Sequence, residues 1–255
     1  ALPGRVLATV LAGELSFKHV NQLVRPERLT NNREAYRRYW RRHAEARAGL
    51  RAASSGLARV IATPRVAKFR YFVWLPVSVL PDTRLYAIAR EDDFGFGVLS
   101  SRMHEVWSLA NASMHGVGND PTYNAKSCFE TFAFPSAAPE QIDAIARAAK
   151  HLNDLRERWL NPPEWTRREP EVTPLGMDRS PYPDRILPRE GFEQQLAQRS
   201  LTKLYNERPT WLAQAHEALD VAVAAAYGWA DYTPQVPDEE ILRRLLALNL
   251  ERAKH

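Results

Sequence analysis

Cysteine is almost missing from this chain: Cys128 stands alone among 255 residues, so no intramolecular disulfide can form. Together with seven scattered histidines it offers no clustered spacing for a structural zinc. Long apolar runs are missing too. None approaches the roughly 20 residues a membrane helix needs. The stretch from Leu2 to Leu15 is interrupted by Gly4, Arg5, Gly13 and Glu14 and lacks the small-residue cleavage pattern of a signal peptide. There is no internal repeat and no low-complexity tract. These absences predict a soluble globular protein of a reducing cytoplasm, with no membrane partner. The chain opens at Ala1 rather than Met and without an obvious complete domain, which reads as a piece of a longer protein.

What is present in abundance is arginine. Net charge is only +5, yet between Arg25 and Arg70 thirteen Arg or Lys stand against three Glu, so the remainder is slightly acidic. A basic segment beside an acidic body is the footprint of a phosphate-binding face, although a solvated arginine-rich helix has the same composition. Tyr36, Tyr39 and Trp40 sit among Arg37, Arg38, Arg41 and Arg42. Guanidinium forks suit phosphates, and rings suit sugars or a core. The 45% apolar content is enough for a core in one large domain or two small ones.

Runs rich in Val, Ile, Phe, Tyr and Trp at Ala58 to Thr63, Phe69 to Leu75 and Arg84 to Ala89 predict three strands, separated by Pro64 and by Pro81-Asp82. Between the first two, Arg65, Lys68 and Arg70 put three cations at one turn: a compact phosphate site, or solvent-facing charges. Leu99, Met103, Val106, Trp107 and Ala110 recur at helical spacing, with Arg102, Glu105 and Ser108 opposite, predicting a half-buried helix that ends near Asn111. The Gly, Asn, Asp and Pro content of Ser113 to Asn124 predicts a polar loop. Further helices are expected over residues 5 to 24, Ala138 to Trp159, Leu196 to Asn206, Thr210 to Tyr227 and Asp238 to Ala253. Residues 161 to 194 hold seven of the eighteen prolines and read as a surface excursion. The expected class is α+β: a small mixed β-sheet domain with packed helices, followed by a C-terminal helical layer.

Three segments in order carry a resemblance: Leu-Ser-Ser-Arg-Met-His-x-x-Trp (Leu99 to Trp107), Gly-Val-Gly-Asn-Asp-Pro-x-Tyr-Asn (Gly116 to Asn124) and Cys128-Phe129-Glu130-Thr131-Phe132-Ala133-Phe134-Pro135. Ile61 to Lys68, Asn206 to Leu212, Ala226 to Trp229 and Leu245 to Asn249 extend it over most of the chain. The pattern resembles the target recognition region and C-terminal helical region of MmeI-like, type II adenine-specific DNA methyltransferases of restriction-modification systems. Residues 1–24 read as an N-terminal helical remnant of a preceding segment, and the resemblance, which runs from about Val24, implies a DNA target recognition domain over 25–135 and a helical region over 136–255. It implies double-stranded DNA and an upstream methyltransferase domain of the same parent chain as partners. S-adenosylmethionine is implied for the parent only, with no cofactor in this fragment. Base reading is expected from Asn119, Asp120 and Thr122. Arg65, Lys68, Arg70, Arg102, Tyr123, Asn124 and Lys126 are expected on the DNA backbone, and His104 is expected to be structural or, alternatively, a DNA contact. The competing expectation is a non-catalytic protein-interaction module with a basic docking face.

Catalytic residues are not expected. Asn161-Pro162-Pro163-Glu164 has Glu164 where the adenine-holding tetrad of amino-methyltransferases needs an aromatic to stack on the flipped base, and it follows a helix rather than a strand. Phe94-Gly95-Phe96-Gly97 lacks the third glycine of a nucleotide-binding turn. Asp92 and Asp93 are adjacent and point apart, without the partners of a metal-dependent nuclease, and His104-Glu105 lacks the second His of a zinc helix.

Overall fold

The polypeptide divides between two units, Ala1–Ser55 with Arg168–Arg185, and Gly56–Arg167 with Ile186–His255. The computed structural model describes residues 17–40, 47–115, 120–171, 173, 177–180 and 182–254.

In the first unit a π-helical turn, Val20–Val24, runs into α1 (Arg25–Leu29), followed by α2 (Glu34–Arg38) and α3 (Ala48–Ala53). None of these buries a residue, and each is far shorter than a helix that holds by itself in water. Arginines stacked on rings fasten them instead. Arg25 lies 5.3 Å from the Trp40 ring centre, while Arg28 and Arg33 lie 4.8 Å and 5.7 Å from that of Tyr36. Each such contact is worth about 0.5–1 kcal/mol at an exposed site. The alternation of rings and arginines therefore has a structural use here. Arg41, Arg42 and most of the helix expected over residues 5 to 24 lie outside the described residues.

In the second unit β1 (Arg59–Pro64) runs antiparallel between β2 (Val73–Pro76) and β3 (Leu85–Ile88). Val60, Ile61, Ala62 and Thr63 are all buried, as a strand covered on both faces requires. The strand expected from Phe69 starts only at Val73, because side chains claim the carbonyls that a ladder would use. The Thr63 hydroxyl donates to Tyr71 O at 2.9 Å, and Arg156 Nη2 donates to Phe72 O at 2.8 Å.

The helix expected from Leu99 belongs to a pair, α4 (Asp93–Ser100) and α5 (Arg102–Ala110), broken at Ser101, which is extended at φ −80°, ψ 159°. The Asp92 carboxylate caps α4 by accepting from Gly95 N at 2.6 Å and also pairs with Arg90, while Asp93 pairs with Arg59 at 3.0 Å. Within α4, Phe96 is fully buried and stacks on Trp74 at 4.7 Å. A Cβ on Gly97 would meet Ile145 Cγ2 at 2.7 Å and Ala149 Cβ at 2.9 Å, both on α6 (Pro139–Leu160). One on Gly95 would meet Arg90 Nε at 2.7 Å. Gly97 thus sets a close crossing of α4 with α6, and the space beside Gly95 is filled by the Arg90 and Asp92 side chains.

After α5 come β4 (Ser113–His115) and β5 (Asp120–Thr122), then the long α6. Arg156, near the end of α6, is 2% exposed and donates to Phe72 O and the Tyr205 hydroxyl. Asn161 ends the helix, and the following Pro162 carbonyl accepts from Trp165 N and Thr166 Oγ1, so the Asn-Pro-Pro-Glu tetrad is a helix stop. β6 (Thr166–Glu169) and β7 (Arg185–Pro188) stand at the feet of the Pro-rich excursion. There Arg189 N donates to Trp165 O at 2.8 Å, and Arg199 lies over both Trp159 and Trp165.

The chain closes with α7 (Glu193–Ala197), α8 (Leu201–Glu207), α9 (Thr210–Ala226) and α10 (Asp238–Arg252). The helix expected from Leu196 is interrupted where Ser200 caps α8 by accepting from Lys203 N. Leu212, Leu219 and Val223 of α9 join Ile145, Ala149 and Leu152 of α6 in the core, while Ile241 and Leu245 of α10 are buried in the same cluster. The architecture is α+β. Among the described residues no helix is long and apolar enough to cross a membrane.

Candidate nucleic-acid interface

The polar stretch after α5 is a hairpin rather than an irregular loop. Ser113, Met114 and His115 pair with Thr122, Pro121 and Asp120. The connecting residues 116–119 lie outside the described residues, and Asn119 with them. The chain just beyond β1 docks against this hairpin: Tyr123 N donates to Arg65 O at 2.7 Å, and Val66 bridges Thr122. On its other side Arg65 N donates to Arg84 O at 2.7 Å. The basic turn and the polar hairpin, separated by about fifty residues of sequence, are therefore joined through main-chain hydrogen bonds.

An open cleft of about 550 Å³ marks the junction, lined by Arg65, Val66, Thr83, Arg84 and Thr122. Arg65 is exposed, the Arg84 side chain is 91% exposed, and the Thr122 hydroxyl is buried without a hydrogen-bond partner among the described residues. Thr83 and Arg84 were not anticipated as site residues. Only the pairing of Pro64 with Leu85 brings them beside Arg65, and that pairing has no signature in the sequence. Asp120 is half-buried at the end of the hairpin next to its connecting residues. Lys68 is exposed and donates to Asn206 Oδ1 at 2.6 Å. Lys126 is exposed, and Asn124 Oδ1 accepts from its amide, turning the chain out of the hairpin.

Three residues expected on a phosphate backbone are occupied inside the fold. Arg102 donates to Pro234 O, Val236 O and Asp238 Oδ1, fastening the start of α5 to the start of α10. Tyr123 is 1% exposed, and its hydroxyl meets His104 Nε2 at 2.9 Å. Arg70 is 6% exposed and spans Thr63 Oγ1, Pro64 O and Pro121 O. His104, fully buried against Phe72, Tyr123 and Phe132, has a structural role. Burial pushes its pKa down to about 3, with the Arg70 cation adding to the effect, so the ring is neutral. Ser108, expected on the exposed side of α5, is buried, and Glu105 is half-buried, where desolvation raises its pKa.

A second, smaller cavity of about 280 Å³ lies beside α5, lined in part by Arg102, Glu105, Arg208, His216, Asp220 and Asp238. Asp220 Oδ1 caps α5 by accepting from Arg102 N at 2.7 Å. Burial pushes the Asp220 pKa up to about 7, opposed by that amide and aided by Glu105. The raised value has a definite sign. Between about pH 4, where the unfolded carboxyl ionises, and pH 7 the folded chain holds a proton that the unfolded chain has released, so this group's contribution to stability declines as pH rises through that window. Asp220→Asn keeps an oxygen for the cap and removes the charge. Its unfolding midpoint is expected to gain on the unsubstituted chain as pH rises from 5 to 8; a difference independent of pH would refute the account. Among the described residues no group of three or more His, Cys, Asp and Glu is positioned to hold a metal ion.

No family model and no curated protein matches the chain. The α+β fold is shared with a solved structure of the type IIL restriction-modification enzyme MmeI in complex with DNA, at 18% identity and a TM-score of 0.66. The alignment covers 94% of this chain and 27% of that one, so the chain spans about a quarter of the length of that enzyme.

Proposed function

We propose that this chain is the part of a restriction-modification enzyme that reads double-stranded DNA: the target recognition region and C-terminal helices of an adenine-N6 methyltransferase. The single observation that carries the reading is the hydrogen bond from Tyr123 N to Arg65 O, which sets an exposed cationic turn and a hairpin with polar side chains on either side of one cleft. Cations hold phosphates and give register, and a hairpin's polar side chains read base edges. The shared fold with a DNA-bound restriction-modification enzyme supports the same reading.

In this reading Arg65 and Arg84 hold backbone phosphates, with Lys68 and Lys126 as outlying cations, and the Asp120 carboxylate reads a base edge. The same reading assigns S-adenosylmethionine and the methyl-transfer residues to an upstream domain of the parent; here Gly95 and Gly97 are taken up by packing and Asn161 to Glu164 by a helix stop. Binding titrations against salt test this directly. Each phosphate contact contributes about 0.9 to the slope of log K against log salt. Arg65→Ala together with Arg84→Ala should flatten that slope by roughly 2, equally for every duplex sequence. An unchanged slope would remove these residues from the DNA backbone, and no duplex binding at low salt would defeat the whole reading.

A further inference from the structure

Arg70 is a buried cation with no carboxylate paired to it among the described residues. Burial lowers its pKa, as it must for a charge taken out of water. Such a group is costly to keep, and an apolar side chain would fill a core more cheaply. Its hydrogen bonds show what it does. Nη1 donates to Thr63 Oγ1 at 2.9 Å and to Pro64 O, both at the end of β1, while Nη2 reaches across to Pro121 O in β5 at 3.3 Å. The guanidinium carbon lies 4.8 Å from the centre of the Tyr123 ring. That ring makes edge contacts with Phe72, Tyr86 and His104, and its hydroxyl is tied to His104 Nε2 on α5.

We infer that Arg70 is a positioning residue that holds the DNA-reading hairpin at a fixed height above the sheet, with Tyr123 and His104 as its footing. The inference rests on the recognition reading above and goes beyond it by assigning sequence discrimination to a residue that touches no DNA. The physical case is the fork. One planar guanidinium bonds two strands at once and stacks on the ring between them, which the single ammonium of lysine cannot reproduce. Pro121, the residue so gripped, lies directly between Asp120 and Thr122. Any change in the height or tilt of Pro121 moves the adjoining Asp120 carboxylate with it, and a base contact of this kind tolerates little displacement.

The experiment uses the 255-residue chain. A pool of duplexes with randomised positions is taken through selection to give the preferred sequence, and binding is then measured to that duplex and to single-base-pair variants at several salt concentrations. Arg70→Lys keeps the charge. It should cut the ratio of preferred to altered duplex by about tenfold or more, within the range of one misplaced base contact, while the salt slope and the affinity for unrelated duplex stay the same. Tyr123→Phe, which removes only the hydroxyl tie to His104, should reduce the ratio in the same direction by less. Thermal melts of both variants confirm that the comparison is between folded proteins. If Arg70→Lys melts early, Tyr123→Phe carries the test alone. A salt slope that falls in Arg70→Ala and is restored in Arg70→Lys, with the ratio untouched, would make Arg70 a phosphate contact and overturn the inference alone. A full ratio in folded Arg70→Lys, or in Tyr123→Phe where that variant carries the test, overturns it as well. An unsubstituted chain without any duplex preference overturns the recognition reading, and this inference with it.

Discussion

Asp120→Asn is expected to change which duplex the chain prefers while leaving its affinity for unrelated duplex nearly unchanged. Asp120 begins β5 opposite His115, next to the residues that connect the two strands, and is half-exposed. An ionised carboxylate only accepts hydrogen bonds, and in the major groove its natural partner is the amino group of cytosine. Asparagine presents a donor beside an acceptor and fits the N6 and N7 of adenine. The exchange removes one charge and alters almost no volume, so folding should be unaffected. A well-formed base contact carries about 1–3 kcal/mol of discrimination, or roughly 5- to 150-fold. Selection from a randomised duplex pool with each protein, followed by titration of the two selected sequences, reads the effect. If both proteins select the same sequence with the same ratio, Asp120 does not read a base. This outcome is separable from the Arg70 result, because Arg70→Lys should blunt preference at the hairpin's positions and Asp120→Asn should redirect it at one.

The second large effect is on stability. Gly97→Val should lower the free energy of unfolding by about 1–3 kcal/mol, with Gly97→Ala intermediate. Gly97 faces Ile145 and Ala149 of α6 and Leu219 of α9, and an added Cβ would stand 2.7 Å, 2.9 Å and 3.2 Å from their side-chain atoms. Those neighbours are themselves buried, so none can swing into solvent. Relief must come from moving α4 away from α6, which also loosens Phe96 from Trp74. In a chain of this size each kcal/mol shifts the melting midpoint by about 2–4 °C. Denaturant titration of the variants measures the loss. Midpoints equal to that of the unsubstituted chain would show that the crossing adapts without cost. DNA preference should survive at temperatures where the variant is folded, since Gly97 touches neither the hairpin nor the basic turn.

The helices were legible where an apolar stripe runs long enough to set a period. Ile145, Ala149 and Leu152 marked α6, and Leu212, Leu219 and Val223 marked α9, because burial on one face leaves a spacing of three and four that no other structure explains. The break at Ser101 was not legible, since Leu99, Met103 and Val106 keep helical spacing across it. Ser101 closes the first helix by donating to Val98 O, and what starts the next is Asp220, a hundred and eighteen residues beyond Arg102, accepting from Arg102 N. Phe69 to Phe72 failed as a strand for a related reason. Its composition favours one, yet its carbonyls are claimed by Thr63 and by Arg156, the latter arriving from a different helix. The candidate interface followed the same division. Arg65 and Lys68 announced themselves as charge at a turn, and Asp120 and Thr122 were implied by the family resemblance, whereas Arg84 joined them only through strand pairing.

Alone, the sequence determined the α+β class, the positions of the long helices, the basic turn, and the polar character of the stretch after α5 with its resemblance to a DNA-reading region, because residue type and local period are enough to encode each of these; that this stretch pairs as a hairpin came from the structure. Tertiary structure decided which cations face solvent. Arg65 and Arg70 lie five residues apart in one turn, and composition cannot separate them. Packing does, because Arg70 finds three oxygen acceptors and an aromatic face within the fold, and Arg65 finds main-chain partners that leave its guanidinium outside. Whether an arginine is a strut or a contact depends on acceptors supplied by distant segments, and these meet only when the chain is folded.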